Sequence, residues 1–465
     1  MHYVSTRGET GAAFADVLLG GPAPDGGLYL PTHWPQFSQG TIREFASLPY
    51  AEVAFRVMRP FIGDAFSHEE FHADVEAAYA GFAHKAVVPL VQLDSDLFLL
   101  ELFHGPTLAF KDVAMQLLGR LFARALAKRN RNATVIVATS GDTGSAAIAA
   151  LRGQPNVDVV VLHPNKRVSE VQRRQMTSVL DDNVHNIALE GTFDDTQNIV
   201  KALFADAEFA GRTNLTAVNS INFARIVAQC VYYFTAAASL GAGYGRAVNF
   251  VVPTGNFGDI FAAEAAARMG VPIDRLVVAT NSNDILARTL ASGRYETGRA
   301  APTLSPSMDI QVASNFERAL FEASGRNAAF VKDAMRGFSE TNSLTIPPDI
   351  LGALQRRYGA ASADDAATLT TIARVHKESG IVVDPHTAVG LSAAAKLRSE
   401  LKGPVVALAT AHPAKFSASV SQAIGKSAEL PLHLSDLLSR KERYTVLPNA
   451  LAEVKTFVLE RTRKK

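Results

Sequence analysis

Apolar and polar positions along this chain fall into blocks. A short run rich in Val and Ile ends in a small polar turn, and an Ala-rich stretch follows. The unit occurs as TVIVATSGDTGSAAIAALRG at 134–153 and as AVNFVVPTGNFGDIFAAEAAARMG at 247–270. Related runs are VDVVVLHP at 157–164, RLVVATN at 275–281 and PVVALATAHP at 404–413. Strands this uniformly apolar, alternating with helices, predict mostly parallel sheets covered by helices on both faces, an α/β fold. Such sheets gather ligands at the C-terminal ends of their strands, where these polar turns lie. One long helix is also predicted. Val113, Leu117, Leu118, Leu121, Phe122 and Ala125 recur at helical spacing, and Pro106 puts the helix start near Leu108 or Ala109.

The blocks suggest three parts. Residues 1–98, with DGGLYLP at 25–31 and several prolines, read as an N-terminal subdomain. Residues 99–114 and 241–465 form a larger lobe, and residues 115–240 a smaller, mobile α/β lobe. No fixed-period repeat or long linker interrupts them.

Composition narrows the function. Lys and Arg total 46 against 45 Asp and Glu in 465 residues, a net charge of +1, which argues against a nucleic-acid partner held by counterion release. A single cysteine, Cys230, allows no intramolecular disulfide and no cysteine-based zinc cluster. The N-terminus lacks the pattern of a secretory signal, and no apolar run is long enough to span a membrane. A soluble cytoplasmic α/β protein with no membrane partner and no metal site is the starting point, and composition alone leaves its function open.

Two features carry candidate chemistry. In VVPTGNFGD (251–259), Gly255 and Gly258 lie between a strand and a helix. Glycines there let successive N–H groups converge on an anion, and the helix N-terminus adds free donors. The loop holds a phosphate, or it uses glycine only to turn tightly. Neither the GxxxxGK[ST] phosphate loop nor a GxGxxG dinucleotide loop occurs in the right context. In HGPTLAFKD (104–112), Lys111 falls at the margin of the apolar stripe, beside Met115 and Leu118, in the first helical turn. Desolvation and the positive helix end both lower an amine's pKa, as a Schiff-base lysine requires. The other reading is a lysine that snorkels from a half-buried helix start and pairs with Asp112. Together, an amine of this kind and a phosphate cradle suggest pyridoxal phosphate, which carries an aldehyde at one end and a phosphate at the other.

HGPTLAFKD, ATSGDTGSAA (138–147) and VPTGNFGD (252–259), in that order, resemble the threonine synthase family, pyridoxal-phosphate enzymes of fold type II with a tryptophan synthase β-like fold. MHYVSTRGE at the start, APDGGLYLP (23–31), HPNKRVSEVQRRQM (163–176), NSINFARIVAQ (219–229), ATNSNDIL (279–286) and DPHTAVG (384–390) extend the resemblance over nearly the whole chain. The longer bacterial and fungal lineage fits best.

The resemblance implies a lyase that converts O-phospho-L-homoserine and water to L-threonine and phosphate, the last step of threonine biosynthesis. It implies that Lys111 holds the cofactor and moves protons, that Gly255, Asn256, Phe257 and Gly258 cradle its phosphate, and that Asp259 is a further cofactor-binding residue. Thr410 would face the pyridine nitrogen, and Asp142 would lie near the cofactor's phenolic oxygen. A carboxylate there needs either a proton or a cationic partner. The substrate phosphate requires a second anion site. Its candidates are Lys166, Arg167 and Arg225, with Thr107, Ser140, Thr143, Ser220 and Asn222 as donors. Taken alone, several of these have plainer readings: SGDTG as a helix cap, Lys166–Arg167 as a solvated pair, Thr410 as a strand-end hydroxyl. His104 is either an entrance residue or a structural histidine, and His386 is expected to be an N-terminal helix residue with no catalytic part. A phospho-lyase or serine/threonine dehydratase releasing α-ketobutyrate is the alternative within the fold. A non-catalytic phosphate-binding protein is the alternative outside it. A phosphorylated amino acid is the expected ligand, and a monomer or homodimer the expected state.

Overall fold

The computed structural model describes residues 1–217 and 220–463. The motif expected at 219–229 therefore begins one residue outside the described set.

Two sheets organise the chain. The larger has six strands in the order Tyr358–Ser362, Ile273–Thr280, Val248–Pro253, Val405–Ala409, Leu97–Glu101 and Leu90–Gln92. All neighbours are parallel except the last pair. The smaller has five parallel strands in the order Thr445–Pro448, Val184–Glu190, Val157–Pro164, Ala133–Ala138 and Leu215–Thr216. The Val- and Ile-rich runs are buried along nearly their whole length because helices cover both faces. This is the expected fold class.

Three expected boundaries shift. Leu90–Gln92 and Leu97–Glu101 both join the large sheet, so the N-terminal subdomain ends before residue 98. The helix Phe223–Ser239 packs on Gly258–Arg268, Lys111–Lys128 and the N-terminal helix Tyr50–Ile62. It is apolar on almost every side, so it serves as a central pillar of the main core rather than a part of the small lobe. The C-terminal strand Thr445–Pro448 pairs with Val184–Glu190, and Val454 and Val458 of the helix Leu451–Arg461 complete the core beneath the small sheet. That segment was expected in the large lobe. Its strand is only four residues long and ends in proline, which suits an edge but does not say which edge.

The N-terminal subdomain docks through charge as well as apolar burial. Glu317, on the helix Phe316–Ala323, accepts from Thr6 Oγ1 and from both ends of the Arg7 guanidinium fork. Arg318, fully buried, donates to the carbonyls of Tyr29 and Ile221 and to the Asn315 side chain.

Candidate active site

Lys111 begins the helix Lys111–Lys128, two or three residues later than the apolar pattern predicts. The preceding residues are held by the end of the strand Val405–Ala409. Phe110 N–H donates to the Thr410 carbonyl at 2.8 Å, and His412 N–H to the Leu108 carbonyl at 3.0 Å. Leu108 accordingly takes a left-handed φ of 60°. These bonds bring Lys111 beside Thr410 across some 300 residues of sequence. The Thr410 hydroxyl has no partner among the described residues and faces the same cavity.

Gly105 explains the loop's shape. A Cβ there would lie 2.4 Å from the Asp112 Cβ, so only glycine lets that carboxyl fold back under the loop. Asp112 accepts from the Thr107 N–H and hydroxyl, both at 2.7 Å, and burial pushes its carboxyl up to about 6. Asp112 is therefore Thr107's partner, so the alternative in which Lys111 pairs with Asp112 does not hold, and Lys111 faces Asp142 instead. Lys111 Nζ lies 3.5 Å from Asp142 Oδ2. Burial lowers the amine's pKa, Asp142 opposes that, and Lys415 and Arg225 reinforce it.

The glycine loop has the geometry of an anion cradle. Phe257 is left-handed at φ 63°, and the helix Gly258–Arg268 starts immediately after it. Asn315 donates its N–H and its side-chain amide to the Asn256 carbonyl, both at 3.0 Å. That turns the carbonyl away, and the N–H groups of Gly255, Asn256 and Phe257 find no acceptor among the described residues. A Cβ on Gly255 would lie 2.9 Å from the Ser307 carbonyl, so the close approach excludes any larger residue. Asp259 differs from its expected role. Its Oδ1 accepts from the Tyr232 and Tyr233 hydroxyls, and burial pushes its carboxyl up to about 6, so its side chain anchors the helix to the pillar.

Asp142 starts the helix Asp142–Leu151 after Gly141, whose φ is 140°. A Cβ on Gly141 would lie 2.5 Å from the Gln172 side chain. Gln172 Nε2 thereby reaches Asp142 Oδ1 at 2.8 Å. The turn winds around Thr139, whose hydroxyl accepts from the Gly141 and Gly144 N–H groups. Thr143 lines the cavity, whereas Ser140 points to solvent.

These groups surround one cavity of about 740 Å³ between the two sheets. Arg225 and Gln229, one helical turn apart on the pillar, both line it, as does Ser220. Arg225 is 4% exposed, and its guanidinium has no hydrogen-bond or ionic partner among the described residues. Burial pulls its pKa down to about 10, which leaves it a cation near neutrality.

Five expected residues do not line the cavity. Lys166 and Arg167 are exposed on the turn after Val157–Pro164, one strand farther out than the turn that carries Asp142. Asn222 caps the pillar, accepting from Ala224 N–H at 3.0 Å and donating to the Leu18 carbonyl. Thr107 is committed to Asp112, and Ser140 is solvated. His104 pairs with Glu101 at 2.7 Å, away from the cavity. His386 does line it: Nδ1 lies 2.6 Å from Asp384, and Nε2 accepts from the Ser307 N–H at 3.3 Å, which makes it a brace for the segment against Gly255.

Sequence reasoning missed Lys415, Gln172, Asn315 and Gln229. Lys415 had a faint signal, a lysine among apolar residues just after the strand that carries Thr410. The other three are amides whose importance lies only in what folding places next to them.

Comparison with known proteins bears directly on this cavity. Three family models match in succession: "Threonine synthase N terminus" over 2–79, "Pyridoxal-phosphate dependent enzyme" over 87–337 and "Threonine synthase, C-terminal" over 387–458. The chain is 53% identical over 460 residues to a threonine synthase of Pseudomonas aeruginosa, covering 98% of each. A PLP-bound threonine synthase of Brucella melitensis superposes with a TM-score of 0.97 at 53% identity over 100% of both chains. The yeast threonine synthase does so at 0.94 and 37% identity, over 99% of this chain and 98% of that one. Among the described residues no helix is long and apolar enough to cross a membrane, and no cluster of His, Cys, Asp and Glu could hold a metal ion.

Proposed function

The chain belongs to the threonine synthase family of pyridoxal-phosphate-dependent lyases, and from that premise we propose how its cavity works. The substrate is O-phospho-L-homoserine, and the products are L-threonine and phosphate. One observation carries the reading. A half-buried amine, Lys111, lies in the same cavity as a cradle of N–H groups and a buried arginine that have no partner among the described residues. A phosphorylated cofactor and a phosphorylated substrate together require two such anion sites.

Gly255, Asn256, Phe257 and Gly258 would hold the cofactor phosphate, Thr410 its ring nitrogen and Lys111 its aldehyde. When bound, the cofactor supplies an electron-withdrawing ring that delocalises carbanions. Lys111 would be the group that moves a proton at the substrate's Cα. Burial lowers its pKa, which favours the unprotonated amine that accepts a proton. Arg225 binds the substrate phosphate and stabilises charge as the C–O bond breaks, and its planar fork suits phosphate oxygens. Thr143, Ser220 and Gln229 surround that group with neutral donors. Lys166 and Arg167 would join them only if the small lobe closes further. A cytoplasmic location and a monomeric or homodimeric state are carried as parts of the proposal.

The test has two parts. Borohydride reduction of the holoenzyme is expected to leave a pyridoxyl mass on the Lys111 peptide, and its absence removes the reading. Turnover of phosphohomoserine is expected to yield threonine. Ketobutyrate as the main product would make the protein a phospho-lyase instead.

A further inference from the structure

Two lysines face Asp142. Lys111 Nζ lies 3.5 Å from its Oδ2, and Lys415 Nζ lies 2.7 Å from its Oδ1. Lys415 sits in the short helical turn Pro413–Phe416 directly after Thr410 and is 1% exposed. Its other partner is the Thr107 carbonyl, also at 2.7 Å. Burying an ammonium so completely is unfavourable unless its partners are fixed. Both partners are fixed here. Thr107 is clamped by Asp112, and Asp142 by Gln172 and the glycine that lets Gln172 approach.

The division of the carboxylate is informative. Oδ1 accepts from both Lys415 and Gln172, which leaves Oδ2 for Lys111. With Lys111 as its only cation, Asp142 would tend to take up a proton whenever Lys111 lost one, because a buried carboxylate cannot stay charged without compensation. Lys415 removes that dependence. We propose that Lys415 is a positioning residue of this reaction: it keeps Asp142 ionised in every state of Lys111 and leaves one carboxylate oxygen aimed at the amine. The proposal answers the need for a cationic partner raised by the sequence, and it rests on the reading of Lys111 as the Schiff-base lysine.

The surrounding charges agree. Burial would raise the Asp142 carboxyl, but Lys415 and Lys111 hold it far below the ordinary carboxylate range. The charged groups that act on Lys111 are Asp142, Lys415 and Arg225, with Asp112 acting on the Lys415 side. While Lys111 is protonated and Asp142 therefore still ionised, removing the Lys415 cation leaves a stronger net negative field at Lys111, and removing the Asp142 anion leaves a positive one.

The test uses holoenzyme and reads the pH midpoint of the imine's visible absorbance in the wild type, Lys415→Met, Lys415→Arg and Asp142→Asn. A lysine that only supports packing would change stability but not this midpoint. Lys415→Met is expected to raise it by about one pH unit or more, Lys415→Arg to restore most of the shift, and Asp142→Asn to lower it. A Lys415→Met protein that carries the pyridoxyl adduct yet keeps the wild-type midpoint overturns the proposal. If Lys415→Met does not fold, by circular dichroism, Asp142→Asn decides: an unchanged midpoint there overturns the proposal equally. Absence of the adduct from wild-type Lys111 overturns the functional reading, and this one with it. An adduct with unmoved midpoints overturns this one alone.

Discussion

Asp259 shows how a single carboxyl can read as one thing in sequence and another in the fold. It follows the glycine loop and so reads as a cofactor-binding residue, yet its Oδ1 is taken by two tyrosines and its Oδ2 has no partner among the described residues. A buried carboxyl half satisfied in this way prefers to be protonated, and its value of about 6 lies above the roughly 3.9 of an unfolded Asp. The folded chain therefore binds this proton more tightly. The group's stabilising contribution is complete below about pH 4 and is lost as pH rises through about 6, at up to roughly 1.4 kcal/mol per pH unit. Asp112 behaves the same way, so the wild-type slope in that window has two sources. Asp259→Asn is expected to remove one of them. Urea midpoints of the cofactor-free protein across this range should fall less steeply with rising pH in the variant, and parallel curves would refute the assignment.

At the scale of elements, Lys111 and Asp142 stand at the starts of two packed helices, Lys111–Lys128 and Asp142–Leu151. Their separation is set partly by Gly119, where an added Cβ would lie 2.4 Å from the Ala150 carbonyl oxygen. That neighbour is backbone and cannot swing aside. Gly119→Ala is expected to cost about 1–3 kcal/mol by overpacking, and to weaken cofactor affinity because it moves Lys111 relative to Asp142. Thermal unfolding and a cofactor titration check both effects, and wild-type values in each would show that the crossing is looser than it looks. The helix itself was legible from its apolar stripe. Its start was not, because the bonds that delay it come from residues 410–412, whose proximity no local pattern encodes.

For the whole molecule, the cavity lies between two sheets, with Asp142 and Thr143 contributed from the smaller and the glycine loop and Thr410 from the larger. A substrate that touches both sides favours their approach, which would also bring the exposed Lys166–Arg167 turn toward the site. Small-angle scattering of the holoenzyme is expected to show a smaller radius of gyration with a substrate analogue than without. Superimposable curves would count against closure. The C-terminal segment takes part in any such motion, since its strand extends the small sheet and its helix covers that sheet's outer core.

The residues themselves determined the α/β class, the strand-end turns, the lysine at a helix start and the glycine loop between strand and helix. These are local facts: period, turn chemistry and conformational freedom act over a few neighbouring residues. Tertiary structure alone decided which cations reach the cavity. Of three basic candidates it put only Arg225, buried on the pillar, in the cavity lining, where Lys201 joins it, and it set Lys415 off the lining against Asp142. It also gave Asp112 to Thr107 and Asp259 to two tyrosines. Those choices depend on partners far apart in the chain, and burial, which makes each pairing obligatory, exists only once the sheets have assembled. A chain of net charge +1 can thus face two phosphates, because its positive potential is a matter of placement.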